Sequence, residues 1–160
     1  MINPYTGIVS IFFSRLMAAK PISIYEHGIP LRDFVHVSDV VQANVRALSD
    51  ALPVYSILNV GTGVKSSILD VARAIALAIG KEPQFEDRGE FRVGDIHSCI
   101  ADLTQTKKLL DYEPGSSLET GMREFAAWAQ GQQAVDLYQR TVEELSAFGL
   151  FSQAGAKANS

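Results

Sequence analysis

The sequence predicts an α/β fold, a small mixed sheet with several helices, and three observations lead there. Short apolar runs such as Ile22–Tyr25 and Tyr55–Val60 are too brief for helices and end in turn residues, as strands do. Segments such as Thr6–Ala19 and 134–148 place apolar residues at helical spacing instead. The chain has 160 residues, 47% hydrophobic and 20% charged, which suits one buried core. No internal repeat or composition break marks a second domain. Residues 1–150 therefore read as one folded unit, and 151–160 as a disordered, small and polar tail.

In chain order, the first helix covers Thr6–Ala19 and stops at Lys20-Pro21, because proline disfavours helical backbone in the residue before it. Ile22–Tyr25 alternates as a strand. Glu26–Leu31 turns through Gly28 and Pro30. Residues 33–37 read as a second strand, with Phe34 and His36 on one face. Ser38 can then cap a helix to about Leu48. Tyr55–Val60 has the apolar character of a buried strand and leads into Gly61-Thr62-Gly63. Ser67 and Asp70 form a capping pair for a helix to Ile79, closed by Gly80. Phe85 marks a further short strand. Asp102 is the expected cap of a helix to Leu110, and Ser117 that of a helix ending near Gly131. In the latter, Met122, Phe125 and Trp128 share a core-facing stripe. A last amphipathic helix spans 134–148.

The net charge of −4 provides no broad basic field for nucleic acid or an anionic membrane, so neither partner is expected. A phosphate ligand in such a chain must be held by local groups. Residues 8–19 are apolar but interrupted by Ser10, Ser14 and Arg15, short of the roughly 18 residues a span requires. The single cysteine, Cys99, excludes an intramolecular disulfide and fits a reducing compartment, so a cytoplasmic location is expected. His27, His36 and His97 lack metal-ligand spacing, so no metal site is expected. His36 reads as a hydrogen-bonded core residue, whereas His97 follows the Gly94-Asp95 turn.

Two features suggest phosphate chemistry. Gly61-Thr-Gly63-Val-Lys-Ser66 follows a strand and opens a helix, the setting of a dinucleotide loop. Its third glycine is replaced by Ser66, and Glu86 or Asp87 lies beyond the usual offset of roughly 20 residues. It reads more simply as a tight strand-to-helix turn. Arg32 follows a Gly- and Pro-bearing loop, and Arg92 precedes Gly94-Asp95. A guanidinium fork matches two phosphate oxygens. From residue type alone, each arginine reads more simply as the ion-pair partner of its neighbouring acid, Arg32 of Asp33 and Arg92 of Asp95.

The chain has no self-sufficient catalytic signature. In many carbonyl-reducing enzymes a lysine four residues after a tyrosine lowers the phenol's pKa. The residues four after this chain's five tyrosines are Val9, Ile29, Asn59, Ser116 and Val142. No catalytic residue is assigned.

Four motifs in order resemble the extended short-chain dehydrogenase/reductases of the NAD-dependent nucleotide-sugar epimerase/dehydratase family. They are Arg32-Asp-Phe-Val-His-Val-Ser-Asp39, Asn59-Val-Gly-Thr-Gly63, Arg92-Val-Gly-Asp95 and Ala101-Asp102 followed by Leu109–Pro114. The opening Asn3–Gly7 and the closing Glu143-Glu-Leu145 look most like epimerases acting on UDP-glucose or dTDP-rhamnose. The resemblance implies that Arg32 and Arg92 hold the diphosphate of a UDP- or dTDP-sugar, with Asp95 near its ribose. Residues 1–150 become the nucleotide-sugar-binding region of a Rossmann-type epimerase, without the N-terminal half that binds NAD and supplies Tyr-x-x-x-Lys. No NAD is therefore expected on this chain alone. Its implied partners are the sugar nucleotide, a Rossmann half if the protein is split, and a second copy of itself in a homo-oligomer.

Overall fold

The computed structural model describes residues 7–48, 52–53, 55–92, 95–132 and 138–153. Among the described residues the fold is mixed α/β, with three small sheets set among six α-helices. Its main core lies where α1 (Ile8–Met17), α3 (Ile68–Ala78) and α5 (Leu118–Gln130) meet β1 (Ile22–Ile24). Phe12, Phe13 and Leu16 of α1 face Val71, Ala72, Ile75 and Ala76 of α3, a set spaced three and four residues apart. Met122 and Ala129 of α5 close this core, and Phe125 meets Phe13 edge-to-face with ring centroids 5.7 Å apart. Trp128 departs from the expected stripe: it is half exposed and leans on Phe125 at the core's margin.

Helix α3 starts as the sequence predicts. The Ser67 hydroxyl accepts the Asp70 amide at 3.1 Å, and the Asp70 carboxylate accepts the Ser67 amide at 2.9 Å. The Ser67 hydroxyl also donates to that carboxylate, which holds Asp70 below the usual carboxylate range. Gly80 takes the left-handed conformation past the helix end, with φ +65°. Ser117 caps α5 as expected, accepting the Thr120 amide at 3.2 Å.

Several boundaries differ from the sequence reading. The strand expected at 33–37 is β2, Leu31–Arg32, and residues 33–36 run without regular structure into α2 (Val37–Ala47). His36, not Ser38, occupies the cap position. Its Nδ1 lies 3.3 Å from the Ser38 amide and 2.7 Å from the Ser38 hydroxyl, while Nε2 lies 3.3 Å from Glu124. An imidazole acceptor two residues before a helical N–H does the work usually done by a hydroxyl. Tyr55–Val60 forms no strand ladder among the described residues. Helix α4 is Thr104–Leu110, entered through Leu103, although the Asp102 carboxylate still accepts the Thr104 amide at 2.9 Å.

The remaining strands are short. β1 pairs in parallel with β4 (Phe85–Asp87). β2 lies between antiparallel β3 (Ser66–Ser67) and parallel β6 (Ser98–Cys99). β5 (Glu90–Arg92) pairs antiparallel with β7, which is Phe151–Gln153. The expected disordered tail thus opens with a strand, because β5 provides an edge whose backbone groups it satisfies. Residues 154–160 lie outside the described residues. The final helix, α6, is described over Tyr138–Ala147; the expected start near residue 134 lies outside them.

A second, smaller core joins α2, α4 and the segment before Gly61. Ala43, Leu103, Leu110 and Tyr112 are buried there, with Leu58, Val60 and Ala101 packed against them. Among the described residues, no helix is long and apolar enough to cross a membrane.

Candidate nucleotide-sugar site

Strand β2 carries Arg32 at its end, and the parallel neighbour β6 brings residues 95–99 alongside. The Leu31 amide donates to the His97 carbonyl at 2.9 Å and the Asp33 amide to the Cys99 carbonyl at 3.1 Å. This pairing sets two arms of the site side by side. Arg32 Nη2 donates to Asp95 Oδ1 at 2.9 Å, and Nη1 donates to the Leu31 carbonyl at 2.9 Å. Asp95 Oδ1 also accepts the Ile96 amide at 2.9 Å. Both side chains remain partly open to solvent, so the pair is oriented but not sealed. The backbone of Arg92 is held in β5, opposite Phe151. The turn residues Val93 and Gly94 lie outside the described residues.

Arg32 therefore pairs with Asp95 and not with its sequence neighbour Asp33, which corrects the pairing expected from residue type. Asp33 is committed elsewhere. Its Oδ1 accepts the Thr62 amide at 2.8 Å and the Thr62 hydroxyl at 2.5 Å. Its Oδ2 accepts the Gly63 amide at 2.9 Å and the Ala101 amide at 3.2 Å. Burial alone raises this carboxyl's pKa, but the four hydrogen bonds outweigh it and hold Asp33 below its ordinary value. Thr62 in turn accepts the Val64 amide at 3.1 Å. The buried Tyr112 hydroxyl donates to the Gly61 carbonyl at 2.9 Å, and Thr106 donates to the Asn59 carbonyl at 2.5 Å. Burial and the charges of Asp39 and Asp33 push the Tyr112 phenol up.

These contacts test whether Gly61–Ser66 fits a dinucleotide. A pyrophosphate would need the free amides of such a loop. Here the Thr62 and Gly63 amides already point at the Asp33 carboxylate. A Cβ at Gly61 would strike that carboxylate and come within 2.6 Å of the Ala101 Cβ, so the close approach this glycine permits is to protein. The start of α3 is likewise filled by Asp70. The segment does not fit NAD; it is a clasp between β2 and the chain before α4.

Asp39 makes a second carboxylate link. Buried on α2, it accepts the Gly115 amide at 2.9 Å and the Ser116 amide at 3.2 Å, which anchors the approach to α5. Sequence reasoning missed the roles of Asp33 and Asp39. The available signal was their position inside the same motif as Arg32, but spacing alone does not reveal which distant amides a carboxylate meets. Among the described residues, no three His, Cys, Asp or Glu side chains group as metal ligands.

The fold of this mixed α/β unit is shared by part of solved Rossmann-type epimerases. Residues 3–61 match the NAD dependent epimerase/dehydratase family, and the chain belongs to that family. It is 39% identical over 126 residues to a dTDP-L-rhamnose 4-epimerase of Burkholderia thailandensis, covering 79% of this chain and 34% of the relative. The crystal structure of the UDP-glucose 4-epimerase of Thermotoga maritima, which contains UDP-glucose, matches with a TM-score of 0.68 at 31% identity. That match covers 80% of this chain and 41% of the other. MoeE5 in complex with UDP-glucuronic acid and NAD matches with a TM-score of 0.70 at 31% identity, covering 80% and 42%. The chain thus spans about a third to two-fifths of the length of these relatives.

Proposed function

We propose that this chain is the substrate-binding portion of an NAD-dependent nucleotide-sugar 4-epimerase, acting on a UDP- or dTDP-hexose in the cytoplasm. Arg32 and Arg92 grip the diphosphate, and Asp95 accepts from a ribose hydroxyl. The observation that carries the reading is the Arg32–Asp95 pair, which joins residues from two separate family motifs at 2.9 Å beside an open surface. A cation already aligned by a carboxylate loses little side-chain freedom when an anion arrives. NAD would supply the acceptor and donor of the hydride, and neither a fitting glycine loop nor a Tyr-x-x-x-Lys pair occurs here to use it. The chain alone therefore binds without turning over.

Calorimetric titration of UDP and of dTDP into the full chain, with Arg92→Ala in parallel, tests the reading. Loss of one charge-assisted arginine contact, worth about 1.5–3 kcal/mol, weakens binding on the order of 10- to 100-fold. Equal heats from both proteins, or none from either, overturn the diphosphate role. The exposed valines of α2 favour a second reading, a non-catalytic module that self-associates. A monomeric solution mass with nucleotide bound rejects it.

A further inference from the structure

We infer that α6 and β7 form a strap that sets the strand carrying Arg92, so that the two arginines stand together only while the strap is closed. The inference rests on the diphosphate reading above and adds what controls that site. Arg32 and Arg92 are placed by different means. Arg32 sits in β2, which is paired on both sides, by β3 and β6. Arg92 ends β5, and among the described residues the only strand that pairs with β5 is β7. Glu90, Phe91 and Arg92 stand opposite Gln153, Ser152 and Phe151. A two-stranded ribbon by itself is marginal in water. The extended backbone at Arg92 therefore depends on what holds β7 in place.

That hold comes through α6. Tyr138, the first residue of the helix, is buried, and its hydroxyl lies 2.6 Å from the Tyr25 hydroxyl just past β1. Burial and the Tyr138 hydroxyl push the Tyr25 phenol up, so the bond keeps its proton at neutral pH. The Arg15 guanidinium of α1 stands 4.5 Å from the centre of the Tyr138 ring. Arg15 is itself buried and donates from Nε to the Pro21 carbonyl at 2.6 Å. A guanidinium over a ring attracts it most where water is kept out. The anchor thus ties α6 to the main core through α1 and the end of β1.

Beyond Tyr138 the segment is lightly held. Gln139, Arg140, Glu143, Ser146 and Ala147 are exposed, and Phe148 is 75% exposed. Gly149 then turns the chain toward β7 at φ +65°, with nothing packed against the position its side chain would take. A segment with a buried anchor at one end, a strand pairing at the other and an exposed middle opens at low free energy and as a unit. Opening withdraws β7 and frees the backbone of Arg92, while the core of α1, α3 and α5 stays packed. Closure completes the diphosphate site, and by reciprocity a bound diphosphate holds the strap closed.

Amide hydrogen exchange and UDP calorimetry on the full chain test this. Phe151→Pro and Ser152→Pro are made separately, because successive strand residues alternate in pointing their amide at the partner and one of the two must remove a ladder donor. Tyr138→Ala removes the anchor, whereas Tyr138→Phe keeps the ring beside Arg15 and should lie nearer wild type. The effective proline variant and Tyr138→Ala should speed exchange at 90–92 on the order of 10- to 100-fold and weaken UDP about 10-fold or more. The core amides of 71–76 should keep their wild-type rates. UDP should slow the amides of α6 in wild type but not in Arg92→Ala, a response that a purely structural segment would not give. Unchanged exchange at 90–92 in both proline variants, or UDP affinity equal to wild type in every strap variant, overturns the inference. A wild-type chain that binds no UDP overturns the diphosphate reading instead, and exchange at 90–92 still decides whether the strap holds the strand.

Discussion

Replacing Asp33 with alanine removes a carboxylate that receives four hydrogen bonds from two other segments of the chain. Bonds to a charged acceptor contribute about 1.5–3 kcal/mol each when taken singly. Simple addition overstates the loss, because the four share one acceptor and water can reach a half-buried site. We expect about 3 kcal/mol, equivalent to a fall in melting temperature of about 6–12 °C for a domain of this size. Asp33→Asn retains one carbonyl acceptor for Thr62 but turns an amide donor toward the Gly63 and Ala101 amides, so about 2 kcal/mol is expected. Urea unfolding followed by circular dichroism at pH 7 gives both numbers.

The pH dependence separates the charge from the shape. The folded-state pKa of Asp33 lies below its unfolded value, so the unfolded chain takes up the proton first as pH falls. The contribution is complete well above the unfolded value of about 3.9 and is lost as pH drops through the lower, folded value. The stability gap between wild type and Asp33→Asn should therefore narrow across that acid window. Other carboxylates act alike in both proteins and cancel in the difference. Identical midpoints at pH 7 would refute the clasp, and a gap that stays constant through the acid window would refute its electrostatic basis.

Two further outcomes follow from the same region. Gly61→Ala drives a methyl group into the Asp33 carboxylate and Ala101, and should cost about 1–3 kcal/mol by overpacking, read in the same unfolding experiment. Ser67→Ala removes the acceptor for the Asp70 amide and should cost about 1 kcal/mol, whereas Ser67→Thr should restore most of it.

Local features of the chain were legible wherever neighbours in sequence complete the interaction. The Ser67–Asp70 box, the Ser117 cap and the left-handed Gly80 each close within a few residues, so spacing reveals them; α1 instead ends at Met17, short of the expected stop at Pro21, with Ala19 left-handed at φ 53°. The cap of α2 was misassigned because an imidazole replaced the expected hydroxyl. Residues 33–36 alternate like a strand, but their backbone is drawn out of the sheet as Asp33 reaches the turn at Thr62 and Gly63. Trp128 has core-like spacing, yet the helix face it occupies reaches past the edge of the packed layer.

By itself the sequence determined the α/β class, the family motifs and the two arginines, since residue type and order carry those signals. Which acid Arg32 meets is a different kind of fact. Asp33 is adjacent in sequence to Arg32 but binds amides 29, 30 and 68 residues away, while Asp95 crosses 63 residues to reach the guanidinium. Only the parallel register of β2 and β6 brings Arg32 and Asp95 together. A carboxylate takes the donors that folding places around it, and those donors come from chain segments whose separation in sequence says nothing of their distance in space.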